Sequence, residues 1–153
     1  MEIVQAITAD QVAQARALFD EYWRSFGFAP CFQNFADEVA GLPGSYVPPG
    51  GRLGLALVDG EVGGCVALRR IDSARAEAKR LYVRPQFRSL GIGLALLHWV
   101  IQEARAAGYR EMLGDTMPVM QRALEIYDRL GFERTPPYSP DATPGAIDLR
   151  LIL

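Results

Sequence analysis

The sequence predicts an α/β layered domain, a mixed and largely antiparallel sheet flanked by helices. Three observations carry that expectation. Segments with apolar residues at helical spacing alternate along the chain with short strand-like apolar runs. Asp59-Gly60 separates two such runs, a strong hairpin signal. A third run, Glu77 to Val83, leads through a turn to Arg88-Ser89-Leu90-Gly91-Ile92-Gly93, where glycines open a helix.

The elements follow in order. Thr8-x-x-Gln11 is a capping box, and Val12, Ala15, Phe19, Tyr22 and Phe26 follow at helical spacing until Gly27. Phe32 to Gly41 reads as a shorter helix. Leu42 to Gly51 is irregular, because its prolines and glycines break helix and ladder alike. Leu53 to Val58 and Val62 to Arg70 are the hairpin strands. Gly91 to Ala107 is a helix closed by Gly108, with Leu94, Leu97, Ile101 and Ala104 on one face. Glu111 to Asp115 is a strand, and Pro118 to Leu130 is a helix that starts with proline and stops at Gly131. Phe132 to Thr135 and Ala146 to Leu153 are closing strands around a proline-rich loop.

Composition narrows the function. The 153 residues, half of them hydrophobic and 22% charged, suit one globular domain over residues 1–153. A net charge of −2 argues against a nucleic-acid partner, which needs a basic face. No apolar run approaches the ~20 residues of a membrane span, and the N-terminus lacks a secretory pattern. Two cysteines, Cys31 and Cys65, match neither a disulfide framework nor a metal spacing. The expectation is a cytoplasmic protein without a metal, monomer or homodimer.

The glycine segment carries the chemistry. Arg88 supplies a cation, while Gly91 and Gly93 lack a Cβ and let the chain wrap closely around an anion. A helix opening there aims unpaired N–H groups and a positive dipole end at the same spot. Successive turn amides make an anion nest by the same logic. The expected ligand carries phosphate. A P-loop is excluded, since Leu94 and Ala95 follow Gly93 where Lys and Ser or Thr belong. A dinucleotide turn is excluded by Leu96, where a third small residue is needed.

Arg88-x-x-Gly91-x-Gly93 resembles the pyrophosphate loop of the GNAT superfamily of acetyl-coenzyme A-dependent N-acetyltransferases. Downstream, Tyr127, three residues, then Gly131-Phe132 is similar to that superfamily's second motif. The strand Glu77 to Val83 resembles the one beside its cofactor arm. The likeness is clear from Leu53 to Leu130 and looser beyond.

The resemblance implies acetyl-coenzyme A as cosubstrate and transfer of its acetyl group to a primary amine by direct attack. Leu81, Tyr82 and Val83 would hold the cofactor arm through their main chain. Arg88, Ser89, Leu90, Gly91, Ile92, Gly93 and Leu94 would hold the pyrophosphate. Glu77 falls where some relatives place a glutamate general base, acting directly or through water. A lysine-like amine of pKa ~10.4 is only about one part in a thousand nucleophilic near neutral pH, a deficit of ~4 to 5 kcal/mol unless a base takes the proton. A carboxylate lifted by burial toward ~6 to 7 is suited to that task. Tyr127 would protonate the departing thiolate. Met120 stands where many relatives carry an asparagine that touches the cofactor arm.

The acceptor is expected to be a small amine or amino acid. Its lining would come from Phe28, Phe32, Tyr46 and Tyr138, with Arg69, Lys79 and Arg80 as cations. Two other readings keep the same motifs: a non-catalytic coenzyme A-binding module, and a transferase using a longer acyl donor. Arg84 reads either as a phosphate contact or as a solvated surface residue. His98 reads as structural, and Cys31 lacks an activating cation.

Overall fold

The computed structural model describes residues 1–25, 35–116, 121–138 and 145–153. Phe26, Phe28, Cys31, Phe32 and Met120 lie outside the described residues. Strand β1 (Glu2–Gln5) leads into α1 (Ala9–Ser25), which is followed by α2 (Phe35–Ala40), β2 (Arg52–Val58), β3 (Glu61–Arg70) and β4 (Arg75–Val83). A 3₁₀ turn (Pro85–Phe87) joins β4 to α3 (Ile92–Ala106), and then come β5 (Glu111–Thr116), α4 (Gln121–Arg129), β6 (Glu133–Arg134) and β7 (Ile147–Ile152).

Local chemistry accounts for the boundaries. The capping box closes: Gln11 N donates to Thr8 Oγ1 and Thr8 N to Gln11 Oε1, both at 3.1 Å. Asp59 (φ 51°) and Gly60 (φ 83°) make the left-handed pair that a two-residue hairpin needs, with Val58 opposite Glu61. Helix α3 ends at left-handed Gly108, beyond which Tyr109 N donates to Ala104 O at 3.1 Å. Its buried face is Ile92, Leu96, Leu97, Val100, Ile101 and Ala104. Leu94, expected on that stripe, is half-buried, one turn-position off it.

The described residues form a seven-stranded sheet in the order β1-β2-β3-β4-β5-β7-β6, antiparallel except for the parallel pair β4–β5. Strand β1 was not expected; four edge residues give too short an alternation to read. Apolar side chains fill both faces. Ala76, Ala78 and Met112 join the α3 residues in one core, and Leu53, Leu55, Cys65 and Ala67 join α1 in the other.

Two irregularities in β4 position the site. Cys65 pairs with Tyr82 and Ala67 with Lys79, so Val66 alone faces both Arg80 and Leu81. Arg80 takes the extra position with φ 58°, a costly conformation for a side-chain-bearing residue. The Cys65 thiol donates to the Arg80 carbonyl at 3.3 Å. Further along, β4 and β5 pair only over Arg75–Glu77 and Glu111–Leu113, and then they part. The last two thirds of β4 therefore turn an unladdered edge toward the gap.

Candidate active site

The gap leads to the glycine turn. Ser89 (φ 69°) and Gly91 (φ 78°) are both left-handed, which bends the chain into a concave run of amides. The first helical bond here is Ala95 N to Gly91 O at 3.0 Å, so the amides of Ile92, Gly93 and Leu94 precede the ladder. A Cβ on Gly91 would meet nothing within 4 Å, and one on Gly93 would meet only Val83 Cγ2 at 3.8 Å. The space over both glycines is open. Arg88 is exposed, and its Nε donates to Val83 O at 3.1 Å, tying the turn to the strand end. A pyrophosphate at the amides with a pantetheine arm along Leu81–Val83 fits these donors. Tyr82 turns its ring toward Tyr22 (6.2 Å, 81°), which leaves its main chain for such a contact.

Arg84 is committed elsewhere. Its guanidinium reaches Glu21 at 2.7 to 3.1 Å and Val62 O at 3.0 Å, so it anchors α1 to the hairpin. His98 is exposed on α3.

Tyr127 is placed by the Gly-Phe pair that follows it. Gly131 is left-handed (φ 90°), and Phe132 N donates back to Tyr127 O at 3.0 Å. This is a Schellman closure, and its usual apolar contact is Phe132 against Tyr127, ring centroids 5.0 Å apart at 73°. Helix end and ring orientation are thus fixed together. Burial, then the nearby Tyr22 and Asp115, push the Tyr127 phenol well above its ordinary pKa, so it stays protonated.

On the α1 face the strands carry a polar floor. Strand alternation puts Glu77 and Lys79 on the side opposite Ala76 and Ala78, and Asp115 on the side opposite Met112. Arg69 stands directly across from Glu77 in the ladder, and Asp148 across from Asp115. Glu77, 4% exposed, accepts from Arg69 Nε on Oε1 and from the Tyr138 hydroxyl on Oε2, each at 2.5 Å. Lys79 Nζ lies 3.9 Å from Glu77 Oε1. Burial, then the Arg80 guanidinium, hold the Lys79 ammonium below its ordinary value. Burial, then the Glu77 charge, raise both Asp115 and Asp148. The same two causes raise the Tyr138 phenol and keep it a donor.

Glu77, Arg69, Lys79 and Tyr138 are therefore brought together. Arg80 and Tyr46 are not. Arg80 is 6% exposed and grips Glu38 of α2 through two hydrogen bonds, at 2.9 and 3.1 Å. Its guanidinium lies 5.3 to 5.8 Å from the rings of Tyr22, Trp23 and Phe35. Tyr46 is 3% exposed, its ring 6.0 Å from Phe19. Both are core members, because the bulge turns Arg80 inward and the irregular loop folds Tyr46 under α1. Asp115 is the floor residue that sequence reasoning passed over. Its signal was an acid one residue before the end of the strand Glu111–Thr116, directly after the apolar and small run Met112-Leu113-Gly114.

The chain belongs to the acetyltransferase (GNAT) family, whose model matches residues 13–132. Among its relatives is an uncharacterized N-acetyltransferase of Schizosaccharomyces pombe, 36% identical over 138 residues, 89% of this chain and 85% of that one. An acetyltransferase from Streptococcus agalactiae shares the fold with a TM-score of 0.82 at 21% identity, covering 99% and 98% of the two chains. A GNAT family acetyltransferase from Elizabethkingia anophelis with acetyl-CoA bound is 28% identical, TM-score 0.59, over 67% of this chain and 76% of that one. Among the described residues no helix is long and apolar enough to cross a membrane, and no group of three or more metal-ligating side chains occurs.

Proposed function

We propose that the protein transfers the acetyl group of acetyl-CoA to the primary amine of a small acceptor by direct attack of the amine. The observation that carries this reading is the parted β4–β5 edge, which runs from the polar floor to the amide nest, with the buried Tyr127 close enough to feel the Asp115 charge. Bound there, acetyl-CoA would supply an activated acyl carbon. Main-chain amides at Leu81–Val83 are suited to orient the thioester and to polarise its carbonyl. The amides at Gly91–Leu94, with Arg88, are suited to the pyrophosphate. Tyr127 would return a proton to the departing sulfur. A phenol raised by burial is a reluctant acid toward a thiolate of pKa ~8.5, so the transfer relies on proximity rather than on acidity.

The resemblance places Glu77 where some relatives carry a general base. Both of its oxygens already accept from Arg69 and Tyr138, which suits it to fixing the floor. Lys79 and Arg69 favour an acceptor that also carries a carboxylate, such as an amino acid, with Tyr138 as part of its wall. The test is free-thiol release across a panel of amines with several acyl donors. Amino acids are expected to outpace neutral amines, and Arg69→Ala is expected to raise KM for anionic acceptors more than for neutral ones. Stabilisation by both acetyl-CoA and coenzyme A without thiol release from any amine would instead identify a non-catalytic binding module.

A further inference from the structure

We propose that Asp115 is the group that takes the proton from the acceptor amine, and that Glu77 is a positioning residue which holds Arg69 and Tyr138 in place. This rests on the acetyl-transfer reading above. Four features of the site argue for it. Asp115 lies two residues past Leu113, the last β5 residue paired with β4, so on that edge it stands at the mouth of the gap, while its other edge pairs with Asp148 of β7. Glu77 lies at that last pairing, one strand-step deeper, with both oxygens engaged. Among the described residues the Asp115 carboxylate makes no hydrogen bond and no ion pair. Asp115 is also the carboxylate whose charge acts on Tyr127, and it acts on Tyr22 as well. A proton acceptor and a proton donor for one acyl transfer must flank the same carbon. Of the floor acids, Asp115 meets that condition.

The charged and titratable groups facing Asp115 come from every surrounding element. They are Glu77, Lys79 and Arg80 from β4, Asp148 from β7, Tyr22 from α1, Tyr127 from α4 and Tyr138 from the segment after β6. Burial and the Glu77 charge move the carboxyl toward the range in which a carboxylate is an effective base. In the step itself, the ammonium form of the acceptor passes one N–H proton to a carboxylate oxygen of Asp115, the freed nitrogen lone pair bonds to the acyl carbon, and the nitrogen's surplus proton leaves to solvent as the amide forms. The carbon–sulfur bond then breaks, its electron pair stays on sulfur, and the Tyr127 phenol supplies the sulfur's proton. Solvent afterwards removes the proton from Asp115 and restores the phenol.

The experiment is thiol release by the full chain with primary amines of graded basicity, read as pH profiles for the unsubstituted protein, Asp115→Asn, Asp115→Glu and Glu77→Gln. Asp115→Asn is expected to lower kcat/KM by about 10²- to 10³-fold near neutral pH. It should remove the acidic limb of the profile, leave KM for acetyl-CoA within about twofold, and leave the melting temperature unchanged or higher. Its deficit should shrink as the acceptor becomes a weaker base, because such an amine is already deprotonated. Asp115→Glu should recover part of the rate and the limb. Glu77→Gln should weaken turnover while keeping the limb and showing no such dependence on amine basicity. An intact limb in Asp115→Asn, or loss of the limb in Glu77→Gln, overturns the assignment alone. Absence of thiol release by the unsubstituted protein with every amine overturns the acetyl-transfer reading, and this assignment with it.

Discussion

Replacing Arg80 with alanine tests whether the bulge in β4 is held from outside the strand. The Arg80 side chain is 5% exposed and that of Glu38 is 21%, so the pair is largely shielded from solvent. Removing one partner of a buried pair costs about 3–5 kcal/mol, since the other charge is left uncompensated. The three surrounding rings add up to about 2 kcal/mol of cation–π attraction to the loss. Alanine keeps the left-handed strain of φ 58°, whereas glycine would relieve about 1–2 kcal/mol of it. The expected destabilisation is therefore about 3–7 kcal/mol for Arg80→Ala, with Arg80→Gly milder by about 1–2 kcal/mol. Urea denaturation followed by circular dichroism, in a cycle with Glu38→Ala, measures both the cost and the coupling. Glu38 adds a pH signature. Burial pushes its carboxyl up, but the hydrogen bonds and charge of Arg80 outweigh that and hold it below its ordinary value. A folded-state pKa below the unfolded one gives stability that is present above the unfolded value and lost as acid titrates the folded carboxyl. Unsubstituted protein should thus lose stability below about pH 4 in a way that Arg80→Ala does not. KM for acetyl-CoA should rise too, because the edge Leu81–Val83 begins at the bulge. A cost under about 1 kcal/mol, or a cost unchanged when Glu38 is already alanine, would refute the reasoning.

Three further outcomes test other parts of the site. Tyr127→Phe should lower kcat by about 10²-fold and leave KM for acetyl-CoA nearly unchanged; a rate within about twofold of the unsubstituted protein would remove Tyr127 from the proton path. Gly93→Ala should leave the melting temperature intact, since its Cβ meets only Val83 Cγ2 at 3.8 Å, yet weaken coenzyme A binding by about tenfold, or about 1.4 kcal/mol, in titration calorimetry. Arg88→Ala should weaken coenzyme A binding in a salt-dependent way with little effect on stability, and Arg84→Ala should do the reverse by breaking the tie to Glu21; equal effects of the two on binding would show that Arg84 also meets the phosphates.

The sequence by itself determined the features whose causes are local. The capping box, the Asp59-Gly60 turn and the glycine stops of α3 and α4 each depend on residues within a few positions of one another. So do the left-handed turn at Ser89 and Gly91 and the closure that seats Tyr127 against Phe132. Such features survive translation into a string of letters, because the hydrogen bonds that make them close within one turn of chain.

Tertiary structure decided what depends on distant partners. β4 parts from β5 after Glu77, and the bulge that follows at Arg80 is gripped by Glu38, 42 residues away. No local pattern marks Arg80 as a core residue; a cation in a strand looks the same whether it faces a cleft or an aromatic box. The engagement of Glu77 by Tyr138, 61 residues on, and the approach of Asp115 to Tyr127 across the gap are likewise products of packing. Electrostatic roles are set by which charges end up close in a low-dielectric space, and that closeness is written in the sheet order rather than in the spacing along the chain.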